Sequence, residues 1–289
     1  MSERSDTSPT LTWLITGGSS GLGRMIAEAA LHAGDIVVAT ARRPAELEAW
    51  AAEHRGQLTL LKLDVTEPSA AARVVHEALA HRGRIDVLVN NAGRVHIGAV
   101  EEVTDEELKT LFELHVFGPT RIVRAVLPHM RSRGSGTIVQ MSTMGSYFIT
   151  PGFSSYTASK AALEGLSATL AEEVAPFGIR VLIVQPGSHR TEVFSGASMA
   201  AELPEYENVT GPTRTFLRAA HGAQPGDPAK AANILVDLVR SDRRLPLRLP
   251  LGSDAVTNIR TALDQVRRDI DEWSEVAHST AFGDAPPTK

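Results

Sequence analysis

Short apolar runs alternate with longer stretches of helical periodicity along most of this chain, and this alternation is the feature that most restricts its fold. The runs are rich in Val, Ile and Leu throughout, as strands buried on both faces are. Strands separated by helices pair in parallel. We therefore predict a doubly wound α/β fold, in which helices cover both faces of a parallel sheet. The predicted strands are 11–16, 36–41, 58–63, 85–90, 137–141, 179–185 and 245–251, and the predicted helices are 22–33, 45–54, 69–81, 105–131, 154–177, 228–239 and 254–276.

Three stretches depart from this rhythm. Residues 1–10 are polar and lack periodicity, so we expect a loose tail before a single domain over residues 11–289. Residues 190–226 are rich in glycine and proline, and we expect an irregular substrate loop there, because long irregular segments of compact domains are usually lids or binding loops. Residues 252–289 are expected to form a C-terminal helical extension. Its apolar stripe should pack on the core, with a cap over the pocket or a subunit contact as the alternatives; the stripe consists of Ile259, Ala262, Leu263, Val266 and Ile270.

The charge and cysteine content exclude several classes of function. The chain has 29 Lys and Arg against 34 Asp and Glu, a net charge of -5, so it offers no broad cationic surface to nucleic acid or an anionic membrane. It has no cysteine, which removes disulfides, thiolate nucleophiles and cysteine-ligated metals and is typical of a reducing compartment. No apolar run approaches the roughly 18 residues of a membrane span. We predict a cytoplasmic protein with no metal, nucleic-acid or membrane partner.

A glycine-rich turn follows the first predicted strand and precedes the first predicted helix. Such a turn offers free backbone N–H groups and the positive end of a helix to a pyrophosphate. Its spacing, Gly-x3-Gly-x-Gly, differs from the common Gly-x-Gly-x2-Gly fingerprint, so a bare tight turn is the alternative. Its position after the first strand of an alternating pattern favours a dinucleotide. The candidate phosphate-binding residues are Gly17, Ser19, Ser20, Gly21, Leu22 and Gly23.

The ends of the next strands indicate which dinucleotide binds. Arg42 and Arg43 follow the second strand, where an NAD site normally presents an acid to the ribose hydroxyls. Arginine attracts a 2′-phosphate, so we predict NADP(H) in preference to NAD(H), with two merely solvated arginines as the alternative. Small or polar residues end the third and fourth strands, and alone they are compatible with ordinary turns. They are Asp64 and Val65, candidates for the adenine, and Asn91, Ala92 and Gly93, candidates for backbone that passes against a flat ligand.

Five motifs occur together in this chain: Thr16-Gly17-x3-Gly21-x-Gly23, Asp64, Asn90-Asn91-Ala92-Gly93, Tyr156-x3-Lys160 and Pro186-Gly187. In order and spacing they resemble the short-chain dehydrogenases/reductases of the single-domain type, over roughly residues 11–250. The resemblance implies a Rossmann sheet of seven strands, NAD(P)(H) as cofactor and interconversion of an alcohol and a carbonyl compound. It further implies that Lys160 binds the nicotinamide ribose, and that the carboxamide is held by the segment containing Pro186, Gly187 and Thr191.

Tyr156 and Lys160 form the candidate catalytic pair. Residues four apart share one face of a helix, so the Lys160 ammonium is expected near the Tyr156 phenol, where it favours the phenolate. Together with the positive charge of the nicotinamide, it is expected to move the phenol pKa from about 10 toward the working range. Tyr156 would then protonate the carbonyl oxygen during reduction and deprotonate the hydroxyl during oxidation. In isolation, a Tyr-x3-Lys sequence is a common surface feature.

Two positions depart from the pattern of the family. Where the family has a serine that hydrogen-bonds the substrate oxygen, this chain has Thr143, with Ser142 as the fallback. Where the family has an asparagine that helps to hold a water in the proton path, this chain has His115. Histidine donates and accepts hydrogen bonds and titrates near neutral pH. We predict that His115 replaces or improves the relay, and a packed helix histidine is the alternative.

The predicted function is that of an NADP(H)-dependent carbonyl reductase or alcohol dehydrogenase acting on a mostly apolar small molecule. A cofactor-binding sensor or scaffold of the same fold, with weakened chemistry, is the main alternative. A sugar-nucleotide epimerase or dehydratase is disfavoured by the glycine spacing and by the short remainder of the chain after Lys160.

The substrate pocket and the oligomeric state follow less directly. The apolar residues of the substrate loop predict a pocket that is apolar and partly aromatic. By resemblance, we expect a homodimer or homotetramer built from helices 105–131 and 154–177. The residues expected around the pocket are Phe194, Met199, Leu203, Tyr206, Phe216 and Leu217, with His189 and His221 nearby.

Overall fold

The computed structural model describes residues 9–220 and 222–282, so most of the expected tail, and also His221, lie outside the described residues. The strands are β1 (Thr12–Ile15), β2 (Ile36–Ala41), β3 (Leu58–Lys62), β4 (Val87–Asn90), β5 (His96–Ile97), β6 (Gly136–Met141), β7 (Ile179–Pro186), β8 (Ser198–Met199) and β9 (Arg248–Leu251). The α-helices are α1 (Gly21–His32), α2 (Glu48–Glu53), α3 (Ala70–Arg82), α4 (Asp105–Phe112), α5 (Gly118–Arg133), α6 (Ser154–Val174), α7 (Glu207–Ala220), α8 (Pro228–Arg240) and α9 (Ser253–His278).

Seven strands form one parallel sheet in the order β3-β2-β1-β4-β6-β7-β9, which confirms the doubly wound α/β prediction. From β1 the chain moves outward to β3 and then returns to place β4 on the other side of β1. The strand order therefore reverses between β1 and β4, and a crevice opens at the carboxyl ends of the strands at such a reversal. The short strands β5 and β8 form a separate parallel pair.

The residues of β1 show how the sheet separates two apolar cores. Trp13 and Ile15 pack on one side with α1 and α8. Leu14, which lies between them, packs on the other side with α3, α5 and α6. Successive side chains of a strand point to opposite faces. The uninterrupted apolar character of the strands thus follows from burial on both faces.

The substrate-loop segment contains more regular structure than we expected. Residues 190–226 include β8 and the 14-residue helix α7, so the expectation of an irregular segment is wrong for these elements. Gly211 and Pro212 lie inside α7 and obscure its helical pattern in the sequence. Contacts with distant residues must therefore help to stabilise this helix.

A buried ion pair anchors α7 to the loop that follows β5. Arg214 of α7 lies 2.7 Å from Glu102, and their side chains are only 3% and 1% exposed. The Glu102 carboxylate also accepts hydrogen bonds from the backbone N–H groups of Ala99 at 2.7 Å and Leu203 at 3.1 Å. This carboxylate joins three parts of the chain, and it holds α7 in place as a wall of the molecule.

The long helix expected over residues 105–131 is interrupted. A π-helical turn over Glu113–Phe117 separates α4 from α5, and it contains the buried His115. Such turns are uncommon and occur mostly at functional sites. Sequence periodicity did not reveal the interruption, because the apolar positions continue through it.

The apolar stripe of α9 is largely exposed, so the expectation that it packs on the core is wrong for most of its length. Ile259 is buried, but Leu263, Val266 and Ile270 are 48%, 52% and 62% exposed. The helix leaves the body of the protein after its first two turns. Within the part of the chain that the structure describes, no helix combines the length and the apolar character needed to cross a membrane.

Candidate active site

A cleft of about 1300 Å³ opens over the carboxyl ends of the parallel strands. It contains most of the residues that the sequence nominated for cofactor binding and chemistry. Those that line the cleft are Gly17, Ser19, Ser20, Gly21, Leu22, Arg42, Asp64, Val65, Asn91, Ala92, Gly93, Ser142, Thr143, Tyr156, Lys160, Pro186, Gly187 and Thr191.

The glycine-rich turn forms one end of this cleft. Gly17 has a φ of +64°, and a Cβ there would lie 2.9 Å from the Cα of Ala92, so a side chain does not fit. A Cβ at Gly21 would stand 3.6 Å from the Cβ of Thr191, in the gap across the cleft. Among the described residues, the N-cap Ser20 makes no side-chain capping bond, and the first turn of α1 has no acidic residue. The free N–H groups and the helix dipole fit an anionic phosphate in this cradle.

Gly23 lies behind the turn and does not line the cleft. A Cβ at this position would collide with the Asn91 side chain and with the Gly17 carbonyl oxygen. Gly23 instead allows α1 to approach the loop that follows β4. Its contribution to a cofactor site is therefore to the shape of the turn.

Hydrogen bonds tie the glycine-rich turn to that loop. The Thr16 hydroxyl accepts from the backbone N–H groups of Asn91 at 2.9 Å and Ala92 at 3.0 Å. The Asn91 side-chain amide donates to the carbonyl oxygens of Thr16 at 3.0 Å and Gly17 at 3.1 Å. Thr16 was quoted as part of a motif but not nominated as a site residue. It fixes two walls of the cleft relative to each other.

Arg42 and Arg43 are placed differently. Arg42 lines the cleft, whereas Arg43 is not part of its lining and pairs with Glu46 at 3.0 Å on the surface. Burial raises the pKa of Asp64, but hydrogen bonds from Thr66 and the positive charge of Arg42 lower it further, so its net shift is downward. The guanidinium of Arg42 therefore lies close enough to act on this end of the cleft, whereas Arg43 lies outside its lining.

Thr143 and Tyr156 meet at the other end of the cleft. The Thr143 side chain lies close enough to the Tyr156 phenol to lower its pKa, and it accepts from the backbone N–H of Gly145 at 3.1 Å. The Ser142 hydroxyl points elsewhere and donates to Glu164 at 2.7 Å. Neighbouring residues in extended backbone point in opposite directions. Thr143 thus carries the hydroxyl that reaches the tyrosine, and the fallback role of Ser142 is wrong.

Lys160 lies one turn after Tyr156 on α6, but the pKa of Tyr156 is not lowered as we expected. The Lys160 ammonium is buried and donates to the Met141 carbonyl oxygen at 2.7 Å. Burial, offset only in part by the neighbouring Thr143 side chain, raises the pKa of Tyr156 to about 12. The protein's own groups therefore shift the phenol pKa upward and not downward as expected, and burial is the largest cause. Burial also lowers the pKa of Lys160 to about 8, against the attraction of Glu164.

Both ring nitrogens of His115 are engaged in structural hydrogen bonds. Nε2 accepts from the backbone N–H of Arg94 at 3.2 Å, so Nδ1 carries the proton and donates to the Ser159 hydroxyl at 2.8 Å. Ser159 in turn donates to the Tyr156 carbonyl oxygen at 2.8 Å. Burial, followed by the charges of Lys160 and Arg94, holds the pKa of His115 well below its usual value. The expectation that it titrates near neutral pH is wrong, and His115 acts as a link between α6 and the loop after β4.

Substitutions of His115 should distinguish a structural link between α6 and the loop after β4 from a proton relay that titrates. His115→Leu is expected to lower both turnover and stability, because the Arg94 N–H and the Ser159 hydroxyl lose their His115 partner, and each lost hydrogen bond costs about 0.5–1.5 kcal/mol. His115→Asn should keep substantial activity, since the asparagine amide can replace Nδ1 as the donor to Ser159. Turnover and urea unfolding of both variants check this expectation. A shift in the pH dependence of turnover near pH 6.5 in His115→Asn would contradict it and favour the relay.

One residue of the site was not singled out from the sequence. Glu164 is buried, lies four residues after Lys160 on the same face of α6 and binds Ser142 behind the cleft. Its helical spacing from Tyr156 and Lys160 is the signal that could have identified it. The contacts themselves depend on β6, β7 and β9 and are not visible in the sequence.

The remaining walls of the cleft are apolar. Phe194 and Phe216 contact each other edge to face at 6.5 Å, and Leu217 is buried beside Val95 and Ile97. Of the other residues expected here, His189 lines the cleft, whereas Met199, Leu203 and Tyr206 are not part of its lining. The Tyr206 hydroxyl instead donates to Glu101 on the surface at 2.9 Å.

Comparisons with known proteins agree with this arrangement. A family model described as short chain dehydrogenase matches residues 12–201. The oxidoreductase BOA17 of Botryotinia fuckeliana is 36% identical over 94% of this chain and 100% of its own length. A 3-ketodihydrosphingosine reductase of Bacteroides thetaiotaomicron is 40% identical over 71% of this chain and 73% of its own length. The crystal structure of a short-chain dehydrogenase from Streptomyces avermitilis superimposes with a TM-score of 0.89, at 50% identity, and covers 95% of this chain and 100% of that one.

Proposed function

Because this chain belongs to the short-chain dehydrogenase family, we propose that it is an NADP(H)-dependent reductase of bulky apolar ketones or aldehydes. At the level of the family it is an oxidoreductase that acts with NAD(P) on CH–OH and C=O groups. The observation that carries the proposal is that the side chains of Thr143 and Tyr156 meet at the apolar end of the cleft. This arrangement places two hydroxyl groups where a carbonyl oxygen can accept from both.

The chain's own groups suit the reductive direction. With a pKa of about 12, the Tyr156 phenol is protonated at neutral pH and is available as a general acid. In this proposal it donates its proton to the carbonyl oxygen, while the Thr143 hydroxyl orients that oxygen. Lys160 binds the nicotinamide ribose and keeps a positive charge beneath the phenol. When bound, NADP(H) supplies the hydride.

The walls of the cleft support an apolar substrate class. Four phenylalanines line it, two of them from the substrate-loop segment. One relative is named as the reductase of a keto compound, 3-ketodihydrosphingosine, which agrees with reduction of a large ketone. The four are Phe148, Phe153, Phe194 and Phe216.

A panel of carbonyl compounds tests the proposed function. Aryl ketones, cyclic ketones and long-chain keto compounds are offered with NADPH or NADH, and the loss of cofactor absorbance is followed. We expect reduction of bulky apolar members with NADPH and little turnover of small polar ones. Tight NADPH binding without oxidation by any member would instead favour the sensor or scaffold.

Arg42→Ala tests the preference for NADP(H). We expect NADPH affinity to fall by roughly tenfold or more, because one well-placed charged contact contributes about 1.5–3 kcal/mol, while NADH affinity stays nearly unchanged. Fluorescence titration with both cofactors measures this. Arg43→Ala is the matched control and should change neither affinity, since Arg43 pairs with Glu46 outside the cleft. Equal losses for both cofactors in Arg42→Ala would assign Arg42 a structural role.

We also propose a cytoplasmic homodimer or homotetramer, and we place one interface on α9. The absence of cysteine supports the compartment. The core buries Leu111, Val123, Leu163 and Leu170 of the helices that we expected at the interface. The exposed stripe of α9 is an apolar surface that the core leaves uncovered, and in this proposal it packs against α9 of a second copy.

Sedimentation velocity tests this interface. The double variant Val266→Glu with Ile270→Glu should sediment as a smaller species than wild type at micromolar concentration. Val100→Glu, at a residue that is 79% exposed on a different surface, is the control and should leave the species unchanged. A monomeric wild-type protein, or a double variant of unchanged size, would contradict the α9 interface.

A further inference from the structure

We propose that Glu164 is a positioning residue that holds both the Thr143 turn and the charge of Lys160 through a single buried carboxylate. The inference rests on the proposed carbonyl reduction, in which Thr143 and Lys160 both act. It extends that proposal to a residue that does not reach the substrate side of the cleft. Glu164 is only 4% exposed and does not line the cleft.

The first part of the argument concerns the turn that carries Thr143. Oε1 of Glu164 accepts from the Ser142 hydroxyl at 2.7 Å and from the Ser146 hydroxyl at 2.5 Å. These serines lie one residue before and three residues after Thr143. The Ser146 hydroxyl is also within 2.8 Å of the Thr143 carbonyl oxygen. The carboxylate thus holds the turn on both sides of the residue that meets the Tyr156 phenol.

The second part concerns the charge of Lys160. Glu164 lies one helical turn after Lys160 on the same face of α6, and both side chains are buried. Burial disfavours the Lys160 ammonium, and Glu164 is the anion that opposes this effect. His115, on the π-helical turn, is neutral and supplies no charge, while Met141 of β6 offers only its carbonyl oxygen. Without the carboxylate, the lysine would therefore lose its proton at a lower pH.

The remaining bonds of the carboxylate fix its position. Gln185 of β7 donates its amide to both oxygens, at 2.9 and 3.1 Å. Arg248 of β9 binds Oε2 at 3.1 Å. A buried carboxylate is stable only when its oxygens are paired in this way. Two neighbouring strands, β7 and β9, therefore fix the Glu164 carboxylate. This carboxylate holds the turn that carries Thr143 and stabilises the charge of Lys160.

Glu164→Gln tests the inference, because it removes the charge but keeps the size of the side chain. The titration of the lysines is followed by NMR of protein labelled at the lysine side chains. The chain has only five, Lys62, Lys109, Lys160, Lys230 and Lys289, and the Lys160 signal is identified by its loss in Lys160→Arg. We expect the Lys160 midpoint to fall from about 8 by about one pH unit or more, as the loss of a neighbouring opposite charge requires.

Kinetics provide the second readout. Lys160 is charged below its midpoint, so in wild type the kcat/KM for reduction should fall as the pH rises through about 8. In Glu164→Gln this decline should move to lower pH together with the NMR midpoint. Ser146→Ala is the matched control, because it removes a neutral contact of the same carboxylate. It should lower kcat several-fold and leave the midpoint of Lys160 in place.

These readouts separate the inference from the proposed function. An unchanged Lys160 midpoint in a folded Glu164→Gln protein would overturn the inference, even if wild type reduces carbonyls. A wild type that reduces none would defeat the proposed function, and the NMR midpoint would still decide the role of Glu164 toward Lys160. If Glu164→Gln does not fold, Glu164→Asp replaces it. This variant retracts the charge, and we expect a smaller fall of the midpoint with a lower kcat; no change in either would overturn the inference.

Discussion

Replacing Tyr156 with phenylalanine is expected to lower turnover by roughly 10²–10⁴-fold while leaving NADPH affinity unchanged. The substitution removes the proton that the carbonyl oxygen receives and keeps the ring, which packs against Phe153 and His115. Single-turnover kinetics and NADPH titration measure the two effects separately.

Two further variants serve as comparisons for this result. Lys160→Ala should damage both NADPH binding and turnover, because the lysine serves the ribose as well as the phenol in the proposed mechanism. Thr143→Ser should be tolerated and Thr143→Ala should depress turnover, since only the hydroxyl contacts Tyr156. A Tyr156→Phe protein that turns over like wild type would exclude the tyrosine as the proton donor.

Replacing Arg214 with leucine is expected to destabilise the protein by about 3–5 kcal/mol, the largest effect on stability among our predictions. The variant leaves the Glu102 carboxylate buried without its cation. Burial raises the pKa of Glu102, but the N–H groups of Ala99 and Leu203 and the Arg214 guanidinium lower it below its usual value. The ionised Glu102 carboxylate therefore stabilises the fold at pH values above its unfolded pKa of about 4.3. This stabilisation is lost as the pH falls through the lower pKa that Glu102 has in the folded protein.

Urea unfolding at pH 7 measures this loss. Arg73→Leu is the control, because Arg73 pairs with Glu77 at 3.3 Å on the exposed face of α3, where such pairs contribute about 1 kcal/mol or less. The double variant Glu102→Leu with Arg214→Leu should recover part of the lost stability, since it leaves no buried charge unpaired. If Arg214→Leu unfolds at the same urea concentration as the control, the ion pair does not anchor α7.

The sequence predicted those parts of the fold and site that depend on local patterns. Strands such as 36–41 are recognisable because burial on both faces requires an uninterrupted apolar run. Tyr156 and Lys160 are recognisable because the period of the helix places them on one face. The glycine-rich turn is recognisable because a residue such as Gly17 is required by its backbone conformation.

The parts that the sequence did not predict depend on contacts between distant segments. Helix α7 contains Gly211 and Pro212, and it is anchored by a carboxylate more than 100 positions earlier in the chain. The choice between Ser142 and Thr143 depends on which way each side chain leaves the end of β6, and spacing from Tyr156 does not determine this. The pKa values of His115 and Tyr156 depend on burial, which a motif does not report.

The anchoring of α7 has a practical consequence for protein engineering. The helix is held by Arg214 on one side, while Phe216 faces the cleft from the same helix. The catalytic hydroxyls of Thr143 and Tyr156 belong to α6 and to the connection that precedes it, not to α7. A library that varies Phe194, Pro212 and Phe216 while retaining Glu102 and Arg214 should therefore redirect substrate selectivity in a protein that still folds and still transfers hydride.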